Sequence, residues 1–151
     1  MKTFIRIRLG LLVVVCAALP WLQAVAATPA TLEFESQALD LDTGTVSDTT
    51  GVDLTEPTGA DVMFGYHADR MPHCVVVPAA EGVTLAFLDA VSFAGVSAAD
   101  VAGLSFFAEP LDVPLDPNDT VVLRTDTGAV FKIGNATESG FSVTFDYEQL
   151  Q

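Results

Sequence analysis

The chain has 151 residues, with 20 acidic against 6 basic side chains, and half of it is hydrophobic. That apolar share excludes a disordered acidic tail, because such segments lack the side chains that build a core. The acidity argues against nucleic acid and anionic membrane as partners, since both are held through basic patches.

Lys2, Arg6 and Arg8 precede a run of almost wholly apolar residues, and Ala24-Val25-Ala26 places small residues at the −3 and −1 positions of a secretory cleavage site. Residues 1–26 therefore read as a signal peptide and 27–151 as a single β domain. After cleavage only Arg70, Arg124 and Lys132 remain as cations against the 20 carboxylates, a formal charge of −17. Cys16 would leave with the signal. Cys74 is then the single thiol, to be buried or paired between chains. Val13-Val14-Val15 before Cys16 lacks the small residue of a lipidation site, so a soluble periplasmic or extracellular protein is expected, without membrane insertion.

Along the mature chain apolar residues recur every second position, the period of a half-buried strand. Leu32 and Phe34 alternate, then Leu39 and Leu41, then Val62, Phe64 and Tyr66, and near the end Phe141, Val143, Phe145 and Tyr147. Val75-Val76-Val77 and Leu85 to Leu88 are continuous runs suited to strands covered on both faces. Turn residues separate these segments at Asp42-Thr43-Gly44, Glu56-Pro57-Thr58-Gly59, Asp116-Pro117-Asn118-Asp119 and Asp126-Thr127-Gly128. Ser97 with Asp100 three residues on predicts one short helix over 98–102, ended by Gly103. Thr120 to Ile133 predicts a hairpin closed by Asp126-Thr127-Gly128, with Gly128 at the positive φ of a three-residue loop and a last strand near Ser142 to Glu148 beside it. The predicted fold is all-β, an antiparallel sandwich or partly open barrel.

Three constellations could carry chemistry. Asp-Thr-Gly occurs twice, at Asp42 and Asp126, and aspartic peptidases join two such triplets so that their carboxylates share a proton. Here, however, Asp40, Arg124 and Thr125 occupy flanking positions where those enzymes place apolar residues, and the triplet is also good hairpin chemistry. The two carboxylates are accordingly expected in separate surface turns.

Every mature Met, His and Cys lies between Met63 and Cys74. If Val62 to His67 and His73 to Pro78 form a hairpin, His67 faces His73. Directly opposed strand residues have Cβ atoms about 4.5–5.5 Å apart, so both imidazoles could reach one metal, with Met71 above and Met63 along the same face. Imidazole with thioether suits copper; two imidazoles with Asp69 would suit zinc or nickel. The alternative is an exposed histidine pair, with Met63 in the core.

The carboxylates form the third constellation. Asp40, Asp42, Asp48, Asp53 and Asp61 crowd the first half of the mature chain, and Asp112, Asp116, Asn118 and Asp119 crowd the loop before the hairpin. Calcium takes several oxygen ligands from such loops, and the second group is the candidate calcium site. Neither group has EF-hand spacing, and solvated surface charge is the alternative.

Ala38-Leu-Asp-Leu-Asp-Thr-Gly44, Gly59-Ala-Asp-Val-Met-Phe64, Arg124-Thr-Asp-Thr-Gly-Ala-Val-Phe-Lys132 and Val143-Thr-Phe-Asp-Tyr147 resemble, in order and character, strand motifs of secreted haem-binding proteins of the HmuY type. The resemblance is most specific over the last thirty residues and implies an all-β protein that binds haem without catalysis. The chain departs from that family in having no lipidation site, in being shorter, and in histidines only six apart, so the family's haem ligands are not carried over to His67 and His73.

The functional expectation is an exported, non-enzymatic binding module taking a transition metal or haem at Met63 to Cys74. The alternatives are an extracellular adhesion or structural module stabilised by calcium and, more remotely, an aspartic-type hydrolase. A small ligand, a metal or another extracellular protein would be the partner.

Overall fold

A computed structural model describes residues 26–49, 59–66, 74–111 and 115–151. Nine strands occur in chain order among them: β1 Thr28–Glu33, β2 Gln37–Asp40, β3 Thr45–Asp48, β4 Val62–Tyr66, β5 Cys74–Pro78, β6 Thr84–Leu88, β7 Thr120–Arg124, β8 Val130–Ser139 and β9 Ser142–Gln149. All pairings among the described strands are antiparallel. They build a five-stranded sheet in the order β1-β9-β8-β7-β6 and a four-stranded sheet in the order β3-β2-β4-β5. The sandwich, not the closed barrel, is the architecture.

The period-two pattern explains the core. Leu32, Leu39, Val62, Phe64, Val76, Leu85, Val121, Leu123, Phe131, Ile133, Val143 and Phe145 point inward from the two sheets and form one buried cluster. Phe64 and Phe145 meet across it with ring centroids 5.0 Å apart. A buried side chain of this size contributes roughly 1.5–3 kcal/mol by leaving water, and this cluster is the main source of stability. The alternation starts late in β9: Phe141 is 82% exposed beside the Gly140 turn.

Two short crossings join the sheets. The Phe34 amide donates to Phe141 O in the five-stranded sheet, while the next amide, of Glu35, donates to Phe64 O in the four-stranded one. Glu35 makes that switch with φ +55°. The chain returns between β5 and β6.

The long connection from β6 to β7 covers the outer face of the five-stranded sheet, where Val96, Val101, Leu104 and Phe106 pack on Val122 and Val130. Lys132 faces outward there. Its buried ammonium donates to Phe93 O at 3.0 Å and Val96 O at 2.9 Å, lies 3.2 Å from Glu148 Oε2, and stands 4.4 Å from the centre of the Phe93 ring. One cation thereby fastens the covering loop to the sheet.

The hairpin expected over Thr120 to Ile133 is present, closed by the Thr125 amide donating to Ala129 O, with Gly128 at φ +91°. β9 pairs with β8 as expected. The helix expected over 98–102 is not an α-helix. Residues 98–100 form a turn, and single 3₁₀ turns occupy Phe93–Gly95 and Val101–Gly103. Asp100 does pair with Ser97, accepting from its amide at 2.8 Å and its hydroxyl at 2.7 Å, and the hydroxyl, then the amide, hold this carboxyl below its ordinary range. Glycines at 95 and 103 leave too few residues between them to offset the cost of nucleating a helix.

Candidate metal centre

β2 ends at Asp40 and turns through Leu41-Asp42-Thr43-Gly44 into β3. Gly44 adopts φ +71°, which a β-carbon would disfavour, and its amide donates to Asp40 O at 2.8 Å. Asp61 stands just before β4, one step beyond the Leu39↔Val62 pair. Its amide donates to Leu39 O and its carbonyl accepts from the Ala79 amide, so the backbone of Asp61 belongs to the sheet between β2 and β5. Strand pairing thus brings Asp61 beside Asp40 and Asp42. Each of the three offers a carboxylate oxygen within 4.8 Å of the other two.

Each carboxylate has one oxygen held by a donor. Asp40 Oδ1 accepts from the Thr43 amide at 3.0 Å, Asp61 Oδ2 from the Leu41 amide at 2.8 Å, and Asp42 Oδ2 from the Thr127 hydroxyl at 2.8 Å. Asp42 is exposed, Asp40 half-buried, and Asp61 only 1% exposed. Asp61 Oδ1 is buried without a hydrogen-bond partner. Among the described residues, no Lys or Arg nitrogen lies within ion-pairing distance of any of the three. Burial pushes the Asp61 carboxyl up to about 6 from 3.8; the Leu41 amide opposes the rise, and the charges of Asp42, Asp40 and Asp126 add to it.

Three carboxylates with spare oxygens and, among the described residues, no countercharge offer donors of the kind that a hard divalent cation takes. The ion would satisfy the orphaned Asp61 oxygen and cancel the mutual repulsion. Calcium takes six to eight oxygens, so the exposed side at Asp42 leaves positions for water.

The other candidate residues are distributed differently. His67, Met71 and His73 lie outside the described residues, as does Asp112. Met63 is buried away from the main core, with Ala38, Ala60, Val77 and Ala79. Asp116 and Asn118 are exposed; Asp119 is buried and spends its two oxygens on the Ala90 amide at 2.8 Å and the Asp116 amide at 3.1 Å, as a tie between loops. Asp42 and Asp126 sit in different turns, both exposed, and it is Thr127 that reaches Asp42. A cavity of about 320 Å³ on the loop side is lined mainly by Leu88, Val91, Val96 and Leu104; Asp100, its single charged group, is engaged by Ser97.

No family model, curated protein or solved structure matches the chain.

The sequence groups Asp61 with the acidic residues of the first half, but the candidate calcium site was expected at Asp112 to Asp119. The burial of Asp61 depends on β2 pairing with β4 across some twenty residues of chain. The crowding of Asp40, Asp42 and Asp61 in the first half of the domain was the available signal.

Proposed function

We propose that the protein is an exported, non-enzymatic structural or adhesion module whose β-sandwich is stabilised by calcium bound at Asp40, Asp42 and Asp61. The observation that carries this reading is the buried, unpartnered Asp61 Oδ1 beside two further carboxylates. Native sandwiches rarely leave such an oxygen without a partner, because desolvation costs about 1–3 kcal/mol that nothing returns, and more for a charged group. Extracellular modules bind calcium with dissociation constants of about 10⁻⁴–10⁻³ M. With 10 mM calcium, a constant in that range adds about 2 kcal/mol to folding stability by mass action.

Thermal melts of the purified protein at pH 7.5 test this. Calcium in place of chelator should raise Tm by about 5–10 °C. An unchanged Tm would remove the reading. Capture of a transition metal or haem at His67 and His73 has one structural fact in its support, the β4–β5 register that ends at Tyr66↔Cys74.

A further inference from the structure

We propose that the cation site is completed from the opposite sheet: Thr127 is a positioning residue that fixes Asp42 for the ion, so calcium binding and docking of the β7–β8 turn on the β2–β3 turn are coupled. This rests on the calcium reading above.

Asp42 lies in an exposed turn, where its side chain would otherwise sample several rotamers. The Thr127 hydroxyl, 85 residues away in sequence and in the other sheet, donates to Asp42 Oδ2 at 2.8 Å. Thr127 is itself held: its oxygen lies 2.9 Å from that of Thr125, which is buried. A carboxylate only accepts, so Thr127 spends its proton on Asp42 and Thr125 donates to Thr127. The order of the relay is therefore set by chemistry. The turn supporting it is closed at both ends, by the Thr125 amide on Ala129 O at 2.9 Å and the Gly128 amide on Thr125 O at 3.0 Å.

The relay leaves Asp42 Oδ1 for a cation while Oδ2 is gripped, the arrangement of an outer hydrogen bond that orients a ligand. The same β2–β3 turn touches the five-stranded sheet once more, since a β-carbon at Gly44 would lie 3.2 Å from the Tyr147 hydroxyl. Both Asp-Thr-Gly triplets then have a physical role. The first supplies the ligand Asp42 and the left-handed Gly44; the second supplies the hydroxyl of Thr127 and the left-handed Gly128. An ion held by Asp40, Asp42 and Asp61 would tie the β2–β4 ladder, through Thr127, to the end of the facing sheet.

The test is isothermal titration of calcium chloride into the wild type, Thr127→Val and Thr127→Ser at pH 7.5, with hydrogen exchange of the 125–129 turn measured in calcium and in chelator. Thr127→Val should weaken calcium binding about tenfold or more and abolish calcium-dependent protection of the turn, and Thr127→Ser should keep both. Equal calcium affinity in the wild type and Thr127→Val would overturn the coupling and leave the calcium reading standing. Absence of calcium binding by the wild type would remove both. If Thr127→Val does not fold, wild-type exchange decides: a turn whose protection is unchanged by calcium refutes the inference.

Discussion

Replacing Asp61 by asparagine should stabilise the metal-free protein and destroy its response to calcium. Burial raises the folded-state carboxyl from 3.8 to about 6. An unfolded chain at neutral pH ionises the group without penalty, whereas the folded protein ionises it in a buried position facing three other carboxylates. A raised acid stabilises the fold fully below about pH 4 and ceases to do so as pH climbs through about 6. At about 1.36 kcal/mol per pH unit, the difference is about 3 kcal/mol as an upper bound, or a Tm change of about 10 °C for a domain of this size. Asparagine keeps an oxygen for the Leu41 amide and presents N–H donors to Asp40 and Asp42 in place of a charge. In chelator at pH 7.5 the variant should therefore melt several degrees above wild type, and at pH 4.5 the gap should shrink to about a third. In 10 mM calcium the order should narrow or reverse, because only the wild type gains from the ion. Circular dichroism melts across these conditions would decide. A variant less stable than wild type in chelator at pH 7.5, or an advantage equally large at pH 4.5, would refute the argument that Asp61 carries an uncompensated charge.

Lys132→Met should lower stability by about 3 kcal/mol in urea unfolding, since it strands the Phe93 and Val96 carbonyls and the Glu148 carboxylate, and limited proteolysis should then cut first within residues 89–104; unchanged stability would show that the ammonium does not fasten the loop. Gly134→Ala should cost about 1–3 kcal/mol by the same measurement, because the new β-carbon would lie 3.0 Å from Phe93 Cβ and 3.1 Å from Asp119 O; a neutral result would mean that this stretch of sheet yields. Phe141→Ser should leave urea unfolding within about 0.5 kcal/mol of wild type, its ring being in solvent, and a larger loss would reveal a contact for it.

The sheets were legible where the signal is local. The residues from Thr120 to Gln149 carry period-two alternation and a turn glycine in one continuous stretch, and both predicted pairings, β7 with β8 and β8 with β9, are present. The Ser97–Asp100 interaction was legible too, yet it caps a tight turn, because a side-chain hydrogen bond of this kind stabilises the start of a helix and cannot supply the turns that follow. What alternation could not convey is how the sheets are assembled. The same pattern of inward residues serves a sandwich or a barrel, and the choice is made at corners such as Glu35, whose left-handed conformation nothing in its side chain announces.

The site followed the opposite logic. Asp119, crowded along the chain with Asp116, is answered by the backbone: two amides satisfy its oxygens and the loop closes on itself, while Asp116 stands exposed to water. Aspartates at 40, 42 and 61 look scattered, yet pairing of β2 with β4 sets them within 4.8 Å, with one oxygen buried and unanswered. Spacing in sequence measures what a loop can wrap by itself, whereas Asp61 Oδ1 is left over where separate strands converge and the nearby amides have donated to other oxygens. The formal charge of the chain could not distinguish the two groups, since it counts carboxylates without their neighbours. What distinguishes Asp61 from Asp119 is the buried oxygen that remains after the backbone has donated, and the proposed calcium site at Asp40, Asp42 and Asp61 rests on that oxygen, with Asp42 held by a hydroxyl from the facing sheet.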